Sequence, residues 1–228
     1  MLGLVLHHPW AWFTMPRFGL PPRKRLETRG LPIGGLPGAP KSPTLPGCNA
    51  EPGERVAIIA GADRVPYRQT VAGGGHGDVT AEQEATMAAE LRNDGVQVEV
   101  DLPWGAVLGT VRLGAALPMV EAPAPNRPGQ LVLDDGKLCL DVEGGWRNIG
   151  HEQPYGVWAP GRWAVELDDA VRLREPVPIL GRQGLHHLRD TTDHGVRCPR
   201  CADGTMLTTC PPDGEEHDWC PSCGWVDE

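Results

Sequence analysis

A mainly β chain with minor α, ending in a small cysteine-rich module, is what three features of this sequence predict. Its 228 residues include 30 glycines and 24 prolines, nearly a quarter of the chain and about double the usual share. So many breakers exclude a helical bundle or a coiled coil. Short apolar runs, six or more of them separated by turn residues, point instead to a small, largely antiparallel β-barrel. The third feature is a pair of CxxC turns, Cys198-Pro-Arg-Cys201 and Cys220-Pro-Ser-Cys223.

The elements follow in order. Residues 3–6 form a short apolar strand leading into His7-His8-Pro9-Trp10-Ala11-Trp12, and 26–29 a second strand. Residues 30–54, rich in Pro and Gly, read as a long irregular loop. Residues 55–60 (RVAIIA) are a buried strand. The glycine-rich run 73–77 lacks the strand-then-helix context of a phosphate loop and is assigned no chemistry. Thr80, with Gln83 three residues on, is a capping box that opens the one clear helix, and Gly95 stops it. Its apolar stripe of Ala81, Ala85, Ala88 and Leu91 is narrow, so the helix lies on the surface. Strands follow at 96–100 and 106–113. Residues 131–142, with Asp134-Asp135-Gly136 at their centre, form a hairpin. A strand at 162–173 is broken at Asp168-Asp169, and a last one spans 184–188.

Charge is unevenly placed. The formal net charge of −9 argues against a non-specific nucleic-acid binder. Yet residues 16–29 carry Arg17, Arg23, Lys24, Arg25 and Arg29 against Glu27 alone, whereas 213–228 hold six carboxylates and no Lys or Arg. One region could meet phosphate while the other repels it; both could equally be solvated surface. No apolar run approaches the ~20 residues that span a membrane, and residues 2–6 are too short for a signal-peptide core, so a cytoplasmic protein is expected.

Each CxxC turn aims two thiolates at one cation, and two turns complete a tetrahedral site at Cys198, Cys201, Cys220 and Cys223. Four cysteines leave no open coordination position, which makes the zinc structural. Two disulfides or a redox CxxC are the other readings of the same residues. His194, Cys210 and His217 are substitute ligands, and Cys48 and Cys139 are isolated small apolar residues. Between 198 and 228 the apolar inventory is Met206, Leu207, Trp219, Trp225 and Val226. That cannot outweigh chain entropy, whereas zinc supplying on the order of 10–16 kcal/mol can.

His8-Pro9-Trp10-Ala11, then Lys24-Arg25-Leu26-Glu27-Thr28-Arg29, then the strand from Val56 to Ala60 resemble the opening of an ASCH domain, a branch of the PUA-like barrels. The hallmark is Q/H-P-W-A, then K-x-x-E-x-R, then an apolar strand. Gly161-Arg162-Trp163-Ala164 and Gly181-Arg182-Gln183-Gly184-Leu185 resemble the closing segments. The likeness covers 1–189, with inserts at about 34–54, 63–100 and 120–150, and leaves 190–228 as the zinc ribbon. It implies a PUA-like barrel with a cleft beside the K-x-x-E-x-R strand for RNA or a nucleotide-like ligand. Most members have no demonstrated activity. A few small relatives hydrolyse the acetyl amide of N4-acetylcytidine with a Lys, a Thr three residues later and a Glu on a later strand. Those positions fall on Lys24, on Glu27 and near Arg112. Two of the three differ in chemical type, so the acyl transfer lacks its hydroxyl nucleophile and base.

A regular strand would put Lys24, Leu26 and Thr28 on one face and Arg25, Glu27 and Arg29 on the other. A site using Lys24 and Glu27 together therefore needs a bend between them. Lys24 can serve as a phosphate point charge, or as a base if buried, and Arg29 can fork onto phosphate or carboxylate. Glu27 could instead merely pair with a neighbouring arginine. Trp10 and Trp163 are read as core, and Trp158 as a cleft-wall residue on which a base could stack.

Three functions are thus open. The leading one is an RNA-binding or modified-nucleotide-binding module, DNA being the other admissible nucleic acid, with Lys24, Arg25, Arg29 and Trp158 as contacts. The second is an amidohydrolase on a modified nucleoside, with Lys24 and Glu27 as catalytic residues. The third is a protein adaptor that recruits a partner through the acidic ribbon.

Overall fold

Five buried residues in succession open the chain as β1 (Leu2–Leu6). The structure, a computed structural model, describes residues 1–17, 19–39, 50–51, 53–61, 80–97, 101–122, 129–134, 137–143, 145–179, 185–187, 191–201, 205–209 and 217–227. β1 lies parallel to β3 (Arg55–Ala60), Leu4 opposite Ile58, and antiparallel to β9 (Leu185–His187). Between β1 and β3 come a short helix α1 (Trp10–Thr14), which the sequence did not lead us to expect, and β2 (Leu26–Arg29). β3 pairs antiparallel with β4 (Ala106–Glu121), the 16-residue strand on which the sheet is organised. β4 also pairs antiparallel with β8 (Trp163–Pro178), and its far end runs parallel to β5 (Leu131–Asp134). β5, β6 (Lys137–Val142) and β7 (Gly145–Asn148) make an antiparallel meander, and β2 pairs with β8.

Mainly β architecture is therefore as expected, but the pairings do not close into the predicted barrel. Among the described residues the sheet is mixed, with β7 and β9 at opposite ends and no pairing between them. The antiparallel expectation fails at β1–β3, because the long excursion between them returns the chain to the same end of the sheet. The expected break at Asp168-Asp169 is a bulge rather than a stop: β8 runs on to Pro178, Asp169 has φ 47°, and the β4–β8 register shifts there. No strand forms at Val96 or Gln97; the rest of that predicted strand, the run 73–77, Cys48, Cys210 and the hairpin's Asp135-Gly136 lie outside the described residues.

Both faces of β1, β3 and β4 are covered, which is why β1 and β3 read as unbroken apolar runs. On one face Leu4, Ile58 and Leu108 meet Ala11 and Met15, Val165 and Leu167 of β8, and Ile33 and Leu36. The last two come from the Pro/Gly tract, which thus supplies core as well as loop. On the other face Val5, Ala57, Ile59 and Val107 meet Leu207, Trp219 and Val226. Leu207 and Trp219 belong to a separate antiparallel sheet of β10 (Thr191–Arg197), β11 (Thr205–Thr209) and β12 (His217–Trp219), and Val226 is bridged to Trp219.

The capping box of Thr80 and Gln83 opens α2 (Ala81–Asn93) as expected. Its buried residues are Met87 and Leu91, so of the expected stripe only Leu91 is buried, while Ala81 and Ala85 are exposed. The longer side chains reach Phe13 and Tyr155, and the alanines cannot.

Candidate functional site

The strand β2 begins only at Leu26, so Lys24 sits on irregular chain that supplies the required bend. Lys24 is 1% exposed. Its Nζ donates to the carbonyls of Leu26 and Tyr155, both at 2.7 Å, and lies 3.2 Å from Glu27 Oε2. The three ammonium donors thus meet three acceptors. Tyr155 closes the 3₁₀ helix Gly150–Tyr155, whose Glu152 accepts the Arg25 main-chain N–H at 2.9 Å. Burial pushes the Glu152 carboxyl up, while that N–H and the Lys24 charge oppose the rise. Gly156 follows: a Cβ there would lie 2.7 Å from Thr28 Cγ2, so only glycine brings this segment against β2.

These elements enclose a cavity of about 300 Å³ whose lining includes His7, Trp10, Lys24, Glu27, Thr28, Arg29, Tyr155, Gly156 and Arg162. Cations outnumber carboxylates in its wall: Lys24, Arg29 and Arg162 face Glu27 alone. Glu27 Oε1 lies 3.6 Å from Arg29 Nη2, so the carboxylate leans on both flanking cations. Burial draws the Arg162 guanidinium below its ordinary value, against the pull of Glu27. The arrangement suits an anionic ligand of modest size.

Of the residues expected at this site, Lys24, Glu27 and Arg29 come together. Arg25 is exposed and does not line the cavity. Trp158 lines a different cleft, of about 520 Å³, beside the start of α2, and its indole donates to the Gln153 carbonyl at 2.9 Å. Trp10, read as core, is a cavity-wall residue, whereas Trp163 does pack against the core. Arg112 binds Asp169 and the Gly53 carbonyl outside the cavity. The basic stretch is also less basic in space than in sequence. Arg17 pairs with Asp94, and Arg23 with Asp94 and Glu90, at the C-terminal end of α2. Sequence reasoning passed over Glu152 and Tyr155, which lie in a segment without periodicity. It quoted Arg162 only as part of a closing motif.

The four cysteines form the second site. The Sγ atoms of Cys198, Cys201, Cys220 and Cys223 all lie within 4.8 Å of one another. The Cys198–Cys223 and Cys201–Cys220 separations are 3.7 and 3.8 Å. A tetrahedron with metal–sulfur bonds of about 2.3 Å has edges of roughly 3.8 Å, whereas a disulfide needs about 2.05 Å. All four cysteines are free, and the cluster could hold one metal ion. Burial raises the Cys198 thiol, but the main-chain N–H groups of Cys201 and Arg200 outweigh it and leave the group at about 7. Burial pushes Cys220 up to about 12.

Turn Cys220–Cys223 rests on the sheet. Thr110 Oγ1 donates to the Pro221 carbonyl at 2.7 Å, and the Arg174 N–H to the Gly224 carbonyl at 2.8 Å. Among the described residues no helix is long and apolar enough to cross a membrane. No protein-family model matches this chain, and no curated protein matches it either.

Proposed function

We propose that the chain is an RNA- or nucleotide-binding module of the ASCH type, carrying a structural zinc ion in its C-terminal ribbon. The observation that carries the reading is the cavity of about 300 Å³ walled by Lys24, Arg29 and Arg162 against Glu27. Two arginines suit phosphate, Glu27 can accept from a base N–H, and the Trp10 ring offers a stacking surface. The order of the HPWA segment, the K-x-x-E-x-R segment and the apolar strand β3 supports the family and its PUA-like ancestry. Four sulfur ligands with no open position favour zinc in a structural role.

Binding without turnover is the form of the function. Lys24 has its donors engaged, Glu27 stands where the hydrolytic relatives carry a hydroxyl, and Arg112 is outside the cavity. Filter binding of short mixed RNA under a salt titration tests the reading. Affinity should fall with salt at a log–log slope of about −0.7 for each phosphate neutralised. Arg29→Ala should weaken binding and flatten the slope by roughly that much for every phosphate the truncated side chain no longer reaches. A salt-independent signal, or one untouched by Arg29→Ala, removes the reading. Release of cytidine from N4-acetylcytidine, abolished by Lys24→Ala, would replace it with the hydrolase.

A further inference from the structure

Among the described residues, three buried side-chain nitrogens without a hydrogen-bond partner belong to residues of one cavity wall: Trp10 Nε1, Arg29 Nε and Arg162 Nε. A buried donor without an acceptor is costly, and these three belong to residues that line one cavity. The fold brings the two arginines to one cavity from distant sequence. Arg29 ends β2 and stands opposite Trp163 of β8, so Arg162 adjoins Arg29's cross-strand partner. Glu27, two residues back on β2, is already held 3.2 Å from Lys24 Nζ. Glu27 also lies 3.6 Å from Arg29 Nη2, so one carboxylate is shared among three cations of the wall and positive charge stays in excess.

We propose that Arg29 and Arg162 form a cradle for one phosphate monoester group, with the Trp10 indole N–H as a third donor, and that the ligand is a single nucleotide rather than a continuous strand. The planar forks of two arginines match phosphate oxygens. A cavity of about 300 Å³ stands at the small end of ligand pockets and admits one such molecule. Placing the phosphate there also offsets the desolvation of the guanidinium groups. The inference rests on the nucleotide-binding reading above, and it adds Arg162 as the residue that selects the charged form.

Calorimetric titration of the full chain tests it, with inorganic phosphate, acetate, the four ribonucleosides and their 5′-monophosphates as probes. A monophosphate should bind about ten- to a hundredfold more tightly than its nucleoside. Arg162→Ala should reduce that gap to less than about threefold, and Arg162→Lys should restore only part of it. Arg162's main-chain bonds with Met119 and Ala159 survive substitution, so melting curves should show the fold intact. If Arg162→Ala fails to fold, Arg162→Lys and Arg29→Lys carry the same comparison. A gap that persists in the variants, or nucleosides equal to monophosphates in the wild type, overturns the cradle and leaves nucleotide binding standing. Inorganic phosphate bound through Arg162 with no preference for nucleotides upholds the cradle and overturns nucleotide binding. Acetate binding as tightly as phosphate overturns the phosphate assignment.

Discussion

Lys24 shows how a single residue can brace a site. Its ammonium ties β2 to the end of the 3₁₀ helix through two carbonyls and to Glu27 through an ion pair. Lys24→Met removes the nearer of the two cations beside Glu27 and the donor to the Leu26 and Tyr155 carbonyls. The expected loss is about 3–5 kcal/mol of stability by urea denaturation, since breaking a buried pair costs more than the pair is worth. A loss under about 1 kcal/mol would mean that the ammonium reaches solvent. His8 is a second residue whose burial has a consequence. Desolvation, opposed by the Pro103 carbonyl and reinforced by neighbouring His7, lowers its imidazole from 6.5 to about 4. Between those two values the unfolded chain takes up a proton that the folded one refuses, so stability falls as pH drops. From pH 7 to pH 5 that contribution is roughly 2 kcal/mol, and His8→Gln should abolish this part of the acid sensitivity in parallel melts.

At the scale of elements, the turn after the second cysteine pair is held by geometry. Gly224 has φ +76°, and a Cβ there would lie 2.1 Å from the Arg172 carbonyl oxygen. Any side chain must lift the turn from β8 and stretch the Arg174–Gly224 hydrogen bond. Gly224→Ala should cost on the order of 1–3 kcal/mol by chemical denaturation, with metal content unchanged, because the four sulfurs lie before it. Loss of metal instead would place the strain in the ligand turn itself. The helix α2 has an electrostatic part to play as well. It ends at Glu90, Arg92 and Asp94, and its two acids take up Arg17 and Arg23. What is left for a ligand is the pair of arginines in the cavity.

For the whole molecule, the ribbon is a cover. Trp219, fully buried, sits with Leu207 and Val226 on Val5, Ile59 and Val107. Deleting 190–228, which the acidic charge alone would make harmless to binding, should therefore expose the sheet. Metal removal should act the same way, because a cation held by the four cysteines would organise the turn that bears on Thr110. Purified protein should contain one zinc per chain by elemental analysis. A strong chelator, or Cys198→Ser, should lower the melting temperature of the entire chain and raise binding of a hydrophobic dye. A sheet that melts unchanged after chelation would show the cover to be independent of the metal.

The sequence by itself determined whatever depends on neighbours a few residues apart. The capping box at Thr80 and Gln83, the buried runs 2–6 and 55–60, and the paired cysteine turns were legible because spacing alone sets their geometry. The charge of residues 16–29 was legible too, but not its fate. Only the tertiary structure decided that Arg17 and Arg23 are consumed by α2, that Arg162 joins Arg29, and that Trp158 lies in another cleft. It also decided that the sheet stays open and that the ribbon covers one of its faces. These outcomes depend on strand register and on packing between residues about seventy or more positions apart. A one-residue change in pairing would reverse every side chain's face, and no local pattern encodes that choice.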